Sequence, residues 1–132
     1  MSVRIVLADD HAIVRRQLRA LLEAEQGWEV CAEAEDGRQA VVSCEEFRPD
    51  VAVLDLSMPV MGGLEATRII LEVSPATAVV IVSVHEAPAI MAAAADAGVR
   101  GYVRKSEALT QLVRTVQAAL EPSGAFPLRS RG

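Results

Sequence analysis

The sequence predicts a doubly wound α/β domain in which five parallel strands are covered by five helices. Short Val- and Ile-rich runs recur five times, longer stretches with helical periodicity separate them, and polar residues stand where successive runs end. Nearly continuous apolar strands are what a parallel sheet buried on both faces requires, and each parallel connection needs a right-handed crossover through a helix.

The first run, Val3 to Ala8, ends against Asp9 and Asp10. The stretch after it carries Val14, Leu18, Leu21 and Leu22 on one helical face, with Gly27 as a left-handed terminator before the next strand. Trp28 to Ala34 is the second strand, and Pro49 stops the helix that follows it, ahead of a third strand at Val51 to Leu54. Ala78 to Val82 and Gly101 to Val103 are the fourth and fifth strands. Between these two lies an Ala-rich helix from about Pro88 to Ala97, closed by Gly98. The last helix is expected to start at Glu107 with Ser106 as its cap, and Leu109, Leu112, Val113, Val116 and Leu120 share its apolar face.

Hydrophobic residues make up 52% of the chain and charged residues 23%, which excludes a disordered tail and permits one globular domain of 132 residues. A net charge of −5 without a Lys/Arg cluster argues against direct nucleic-acid binding. No run reaches the roughly 20 apolar residues of a membrane span or has the form of a signal peptide, so a cytoplasmic protein without membrane contact is expected. Cys31 and Cys44 fit no metal or redox spacing and read as small apolar residues.

In open parallel sheets ligands bind beyond the carboxyl ends of the strands, where strand order reverses. That edge collects Asp9 and Asp10 from the first strand, Asp55 from the third, Ser83 from the fourth and Lys105 after the fifth. Clustered carboxylates repel one another unless a cation offsets them, and oxygen donors with no His or Cys in the pattern suit Mg2+. A carboxylate can attack phosphorus to form an acyl phosphate. Asp55 is the candidate nucleophile, Asp9 and Asp10 the cation ligands, Lys105 the fixed positive charge and Ser83 a hydrogen-bond donor to a phosphoryl oxygen. Singly, each has a plainer reading: the Asp pair as a helix cap, Asp55 as a turn residue, Tyr102 as a core aromatic with a wet end.

The motifs ADDH at Ala8 to His11, DLSMP at Asp55 to Pro59, GGLEA at Gly62 to Ala66 and GYVRKS at Gly101 to Ser106 resemble the receiver domains of two-component response regulators. The resemblance runs from Val3 to about Leu120, and the wording of the first helix is similar to the NarL/FixJ (LuxR-type) subclass. It implies the flavodoxin-like receiver topology with strand order 2-1-3-4-5. Asp55 then looks like the phospho-acceptor and Asp9, Asp10, Asp55 and the Ser57 backbone carbonyl like the Mg2+ ligands. Ser83 looks like the switch hydroxyl, Tyr102 the switch aromatic and Lys105 the family's lysine. Ser57 and His85, each two residues past a site residue, are candidates for tuning dephosphorylation.

On this reading residues 1–120 are a receiver domain that takes a phosphoryl group from a sensor histidine kinase. It would signal through homodimerisation on phosphorylation or through an effector. Residues 121–132, EPSGAFPLRSRG, look like a tail or the start of a linker to a DNA-binding effector domain that this chain does not contain. A signalling module is expected, with no enzymatic activity beyond its own phosphoryl transfer and dephosphorylation. Two departures from the family pattern stand out. Ser106 follows the lysine where many receivers have Pro, so a trans link is expected there. The fourth helix is nearly uncharged, which predicts a weak or apolar binding surface. A pseudo-receiver would be expected to lack a site residue, a haloacid-dehalogenase-like phosphatase would need DxD at Asp55, and a flavodoxin a Ser/Thr/Gly-rich loop after the first strand.

Overall fold

The computed structural model describes residues 2–122. Its five strands are β1 (Val3–Ala8), β2 (Trp28–Ala34), β3 (Val51–Asp55), β4 (Ala78–Ser83) and β5 (Gly101–Arg104). They alternate with α1 (Ala12–Glu23), α2 (Gly37–Phe47), α3 (Gly63–Val73), α4 (Pro88–Ala97) and α5 (Ala108–Ala119). All pairings are parallel and the order is β2-β1-β3-β4-β5, as expected. Most of the expected tail, residues 123–132, lies outside the described residues. Among the described residues no helix is long and apolar enough to cross a membrane.

Strand alternation divides the core into two layers. Ile5, Leu7, Val51, Val53, Val80 and Val82 pack with Leu18, Leu22, Leu112 and Val116 of α1 and α5. Their strand neighbours Val6, Ala8, Ala52, Leu54, Val79 and Ile81 pack with Ala40, Ala66, Ile70 and Ala94 of α2, α3 and α4. Both faces of the central strands are therefore buried, which is why those strands read as unbroken apolar runs.

Several local expectations change. Asp55 and Ser83 are the last residues of their strands, so the sheet itself holds them. Leu109 is 79% exposed, and the buried seam of α5 is Ala108, Leu112, Val116 and Ala119. A one-turn 3-10 helix, Lys105–Glu107, precedes α5, and at the start of α5 the small Ala108 faces inward and the large Leu109 outward. The same turn takes up Ser106, and Glu107 occupies the cap of α5 in its place without a side-chain capping hydrogen bond. Gly27 does have a positive φ, but α1 ends earlier, at Ala24 in right-handed conformation. Gly98 is the left-handed cap of α4, while α2 closes on Arg48 at φ 44° just before Pro49.

Cys44 is fully buried, and burial pushes its thiol pKa up to about 12. Cys31 is half-buried and also raised by burial, with Sγ donating to the Ile5 carbonyl. Because the thiolate is the reactive form, Cys44 is expected to resist a thiol-specific disulfide reagent in the native protein and to react only on unfolding. Counting modified thiols with and without denaturant checks this. Rapid native labelling of Cys44 would contradict it.

Candidate functional site

The site lies at the carboxyl edge of β1, β3, β4 and β5, where the crossovers leave on opposite sides of the sheet. Asp9 follows β1 and is 1% exposed, whereas Asp10 is exposed. The Asp9 N–H donates to Ala34 O, and its Oδ1 accepts the His11 N–H at 2.8 Å, which holds the turn into α1. Arg15 ties the same turn down from α1, donating from Nη1 to the Asp9 carbonyl at 2.7 Å and pairing through Nε with Glu33 of β2.

Asp55 is 5% exposed at the end of β3. Lys105 Nζ reaches both buried carboxylates, 3.1 Å from Asp55 Oδ2 and 3.1 Å from Asp9 Oδ2. With Asp55 the contact is a hydrogen bond. With Asp9 it is a charge contact without hydrogen-bond alignment, so the buried Asp9 Oδ2 keeps no hydrogen-bond donor among the described residues. Desolvation raises the Asp55 pKa above the ordinary carboxylate range, and Lys105 opposes part of that rise. Burial works against the Lys105 ammonium as well, but Asp9 and Asp55 outweigh it and leave its pKa above that of an ordinary lysine.

One donor atom from each of Asp9, Asp10, His11 and Asp55 lies within 4.8 Å of the others. The expected carboxylates are thus brought together, and the orphaned Asp9 Oδ2 is the kind of buried oxygen that a hard cation would satisfy. The donor set fits Mg2+. His11 stands closer than expected: its Nδ1 is 3.2 Å from Asp10 Oδ1 and 3.4 Å from Asp9 Oδ1, so the cluster has a histidine at its edge after all. The ADDH motif contained this residue, but only the backbone turn after β1 brings the ring back over the carboxylates.

Ser57 is exposed, and its N–H makes a long 3.4 Å contact to Asp55 Oδ1. The loop beyond it is closely built. Gly63 N donates to Leu56 O, and a Cβ on Gly63 would come within 2.5 Å of the Asp55 carbonyl, so glycine is needed where α3 meets the end of β3. Val60 has φ 70° between Pro59 and Met61, whose O and N are 2.7 Å apart across it, the γ-turn form that strains a β-branched residue. Val60 is also 76% exposed and loses little packing when truncated. Val60→Gly is therefore expected to stabilise the fold by about 1 kcal/mol, read from urea denaturation midpoints. A lower midpoint would show that the turn is not strained.

Ser83 is fully buried and lies apart from the carboxylates' immediate hydrogen bonds, its Oγ accepting the His85 N–H at 2.9 Å. Tyr102, opposite Ile81 in the ladder, packs its ring partly against the α2–α4 layer and donates its hydroxyl to the His85 carbonyl at 2.7 Å. His85 thus links the two expected switch residues through its main chain while its side chain is exposed. Side-chain chemistry could not have signalled that role. Beside Tyr102 is a cavity of about 350 Å³ lined by Glu86, Met91, Arg104, Glu107, Gln111 and Thr115. Arg104 pairs with Glu86 at 2.6 Å and Glu107 at 3.4 Å across it. The expected lack of charge holds for α4 itself, but β5 and the neighbouring turns supply ion pairs to the same face.

Comparison with protein families matches residues 5–117 to the response regulator receiver domain. The transcriptional regulatory protein DegU of Brevibacillus brevis is 34% identical over 125 residues, covering 95% of this chain and 52% of that protein. The response regulator UvrY of Escherichia coli K12 is 35% identical over 116 residues, covering 88% of this chain and 53% of that protein. The chain spans about half the length of the curated relatives it matches. A crystal structure of a LuxR-family two-component response regulator from Aurantimonas sp. SI85-9A1 superposes with a TM-score of 0.86 at 41% identity, covering 91% of this chain and 86% of that one.

Proposed function

The chain belongs to the response regulator receiver domain family, of the LuxR-type group, and from that premise we propose that Asp55 is its phospho-acceptor and Lys105 the charge that serves it. The observation that carries the reading is the Lys105 ammonium bridging two buried carboxylates, 3.1 Å from each. A purely structural ion pair would need one partner. Here the ammonium faces two buried carboxylates, one of them at the end of β3, where a phosphoryl group would be received.

Asp9, Asp10, Asp55 and the Ser57 carbonyl are the groups that would hold Mg2+. When bound, the ion supplies positive charge to the phosphoryl oxygens. Phosphoryl transfer demands in-line positioning and offset of charge more than covalent help from the protein. An Asp55 carboxylate oxygen forms the new bond to phosphorus as the bond to the donor nitrogen of a kinase phosphohistidine breaks, the electron pair leaving with the imidazole. Lys105, already hydrogen-bonded to Asp55 Oδ2, follows the negative charge onto the phosphoryl group.

The readout follows from hydrogen-bond exchange. Ser83 Oγ, now an acceptor from His85 N–H, becomes a donor to a phosphoryl oxygen. That releases the His85 main chain, to whose carbonyl Tyr102 is bonded, and frees the ring to move at the face lined by Arg104, Glu107 and Gln111. Residues 1–120 act as the receiver unit. Partner contacts, including a second phosphorylated copy or a DNA-binding effector domain, would use this face. Ser57 and His85, each two residues past a site residue, set phosphate lifetime in this reading.

Incubation with a small phosphodonor and Mg2+ followed by intact mass measurement tests the proposal. One phosphoryl group is expected, absent in Asp55→Asn. No uptake by the unaltered chain, or an adduct that persists in the variant, overturns it.

A further inference from the structure

We propose that His11 is a fourth donor of the acidic pocket and that its imidazole gives the pocket a preference for first-row transition ions of the Co2+ or Ni2+ class over Mg2+. The proposal rests on reading the pocket as a cation site and concerns which cations it takes. Four donor atoms, from Asp9, Asp10, His11 and Asp55, fall within 4.8 Å of one another. Ligands adjacent in an octahedral shell with bonds near 2.1 Å lie about 3.0 Å apart, and opposite ligands about 4.2 Å apart. His11 Nδ1 at 3.2 Å from Asp10 Oδ1 and 3.4 Å from Asp9 Oδ1 is therefore at the spacing of neighbouring ligands on one ion. The widest separation needs to close by only a fraction of an ångström.

A second observation is independent of those distances. Asp9 Oδ2 is buried without a hydrogen-bond donor, and the Lys105 contact leaves it unaligned. A buried carboxylate oxygen facing the lysine only as a charge contact has a coordination position that a cation can fill. The backbone also fixes where the ring stands, because His11 N–H is bonded to Asp9 Oδ1 and His11 O accepts from Arg15 N. The ring itself is 66% exposed, so it can turn toward an ion at little cost in packing. Mg2+ prefers oxygen donors and retains water, so the imidazole adds little for it. Co2+ and Ni2+ bind imidazole well, and for them it replaces a water with a stronger ligand. The competing account is a hydrogen bond from Nδ1–H to the two carboxylates, which has no metal dependence.

Calorimetric titration of the full chain with Mg2+ and with Ni2+, at about pH 8 where an ordinary imidazole is neutral, distinguishes them. In His11→Gln the ratio of Ni2+ to Mg2+ affinity is expected to fall by roughly tenfold or more. His85, the other histidine of the chain, is present in both proteins, so any Ni2+ it takes cancels in the comparison. With Co2+, hyperfine-shifted ring signals assigned to His11 are expected, and they vanish in the variant. Far-UV circular dichroism establishes that the variant is folded. An unchanged ratio, equal losses for both ions, or absence of shifted ring signals overturns the role of His11. Failure of Mg2+ itself to bind the unaltered chain overturns the pocket as a cation site, a separate result.

Discussion

Asp55→Asn is expected to eliminate phosphoryl uptake and, in metal-free buffer at neutral pH, to raise the melting temperature by a few degrees. The first effect follows from the nucleophile: an amide oxygen is a poor attacking group and cannot yield the acyl phosphate. The second follows from the site's electrostatics. Burial raises the Asp55 pKa in the fold, and Lys105 only partly offsets that rise. For an acid, a folded pKa above the unfolded one means that the native state binds the proton more tightly. Stability is thus greatest below the unfolded pKa and is reduced as pH climbs toward and past the folded pKa. At neutral pH the ionised Asp55 weighs against folding, and a neutral amide of the same shape removes that burden, while Asp9 remains as a partner for Lys105. Scanning calorimetry of both proteins from acidic to neutral pH checks the sign. The stability gap should shrink as Asp55 becomes protonated. A variant less stable at neutral pH would mean that the Asp55–Lys105 pair stabilises more than burial costs.

Lys105→Met is expected to slow phosphoryl uptake from a small donor by about 10²- to 10³-fold at saturating Mg2+, the usual loss when one preorganised charge or donor is removed from a developing anion. Methionine keeps the length and apolar stem of the side chain, so the packing is largely preserved. Among the described residues the Lys105 ammonium is the cation in contact with both Asp9 and Asp55, and its removal leaves these two buried carboxylates without it. The Asp55 pKa should rise further, and the variant should be less stable than the unaltered protein at neutral pH. It should recover as pH falls and one carboxylate takes a proton. Single-turnover rates followed by intact mass, together with melting curves at two pH values, read both effects. An unchanged rate would remove Lys105 from the phosphoryl-transfer step and leave it as a structural ion pair.

The two predictions concern residues visible in the sequence for different reasons. Asp55 stands out because an apolar run stops at the acid that opens DLSMP, and Lys105 because it follows the fifth run within GYVRKS. Their 3.1 Å contact spans 50 residues, so no local pattern contains it. The errors have equally specific causes. By spacing Leu109 shares a helical face with Leu112, Val113 and Val116, but α5 lays its narrower Ala108, Leu112, Val116 and Ala119 seam on the sheet and leaves Leu109 at the exposed edge of that face. Ser106 looked like a cap because its type favours that position, but the same tight turn incorporates it. The expected ligand set counts only oxygen donors and so omits His11, whose ring reaches the carboxylates through the turn that follows β1.

The sequence by itself determined the layered fold, the strand order through its likeness to a family, and the edge of the sheet at which chemistry is concentrated. It could do so because hydrophobic periodicity and strand-end polarity are written residue by residue and need no knowledge of distant partners. Only the tertiary structure decided which acid the lysine engages, that Asp9 keeps an oxygen without a donor, and that His85 joins Ser83 to Tyr102 through backbone atoms. Those relations depend on loop conformations between strands far apart in the chain. A peptide N–H or carbonyl has no residue identity to read, so its direction emerges only when the backbone has been folded.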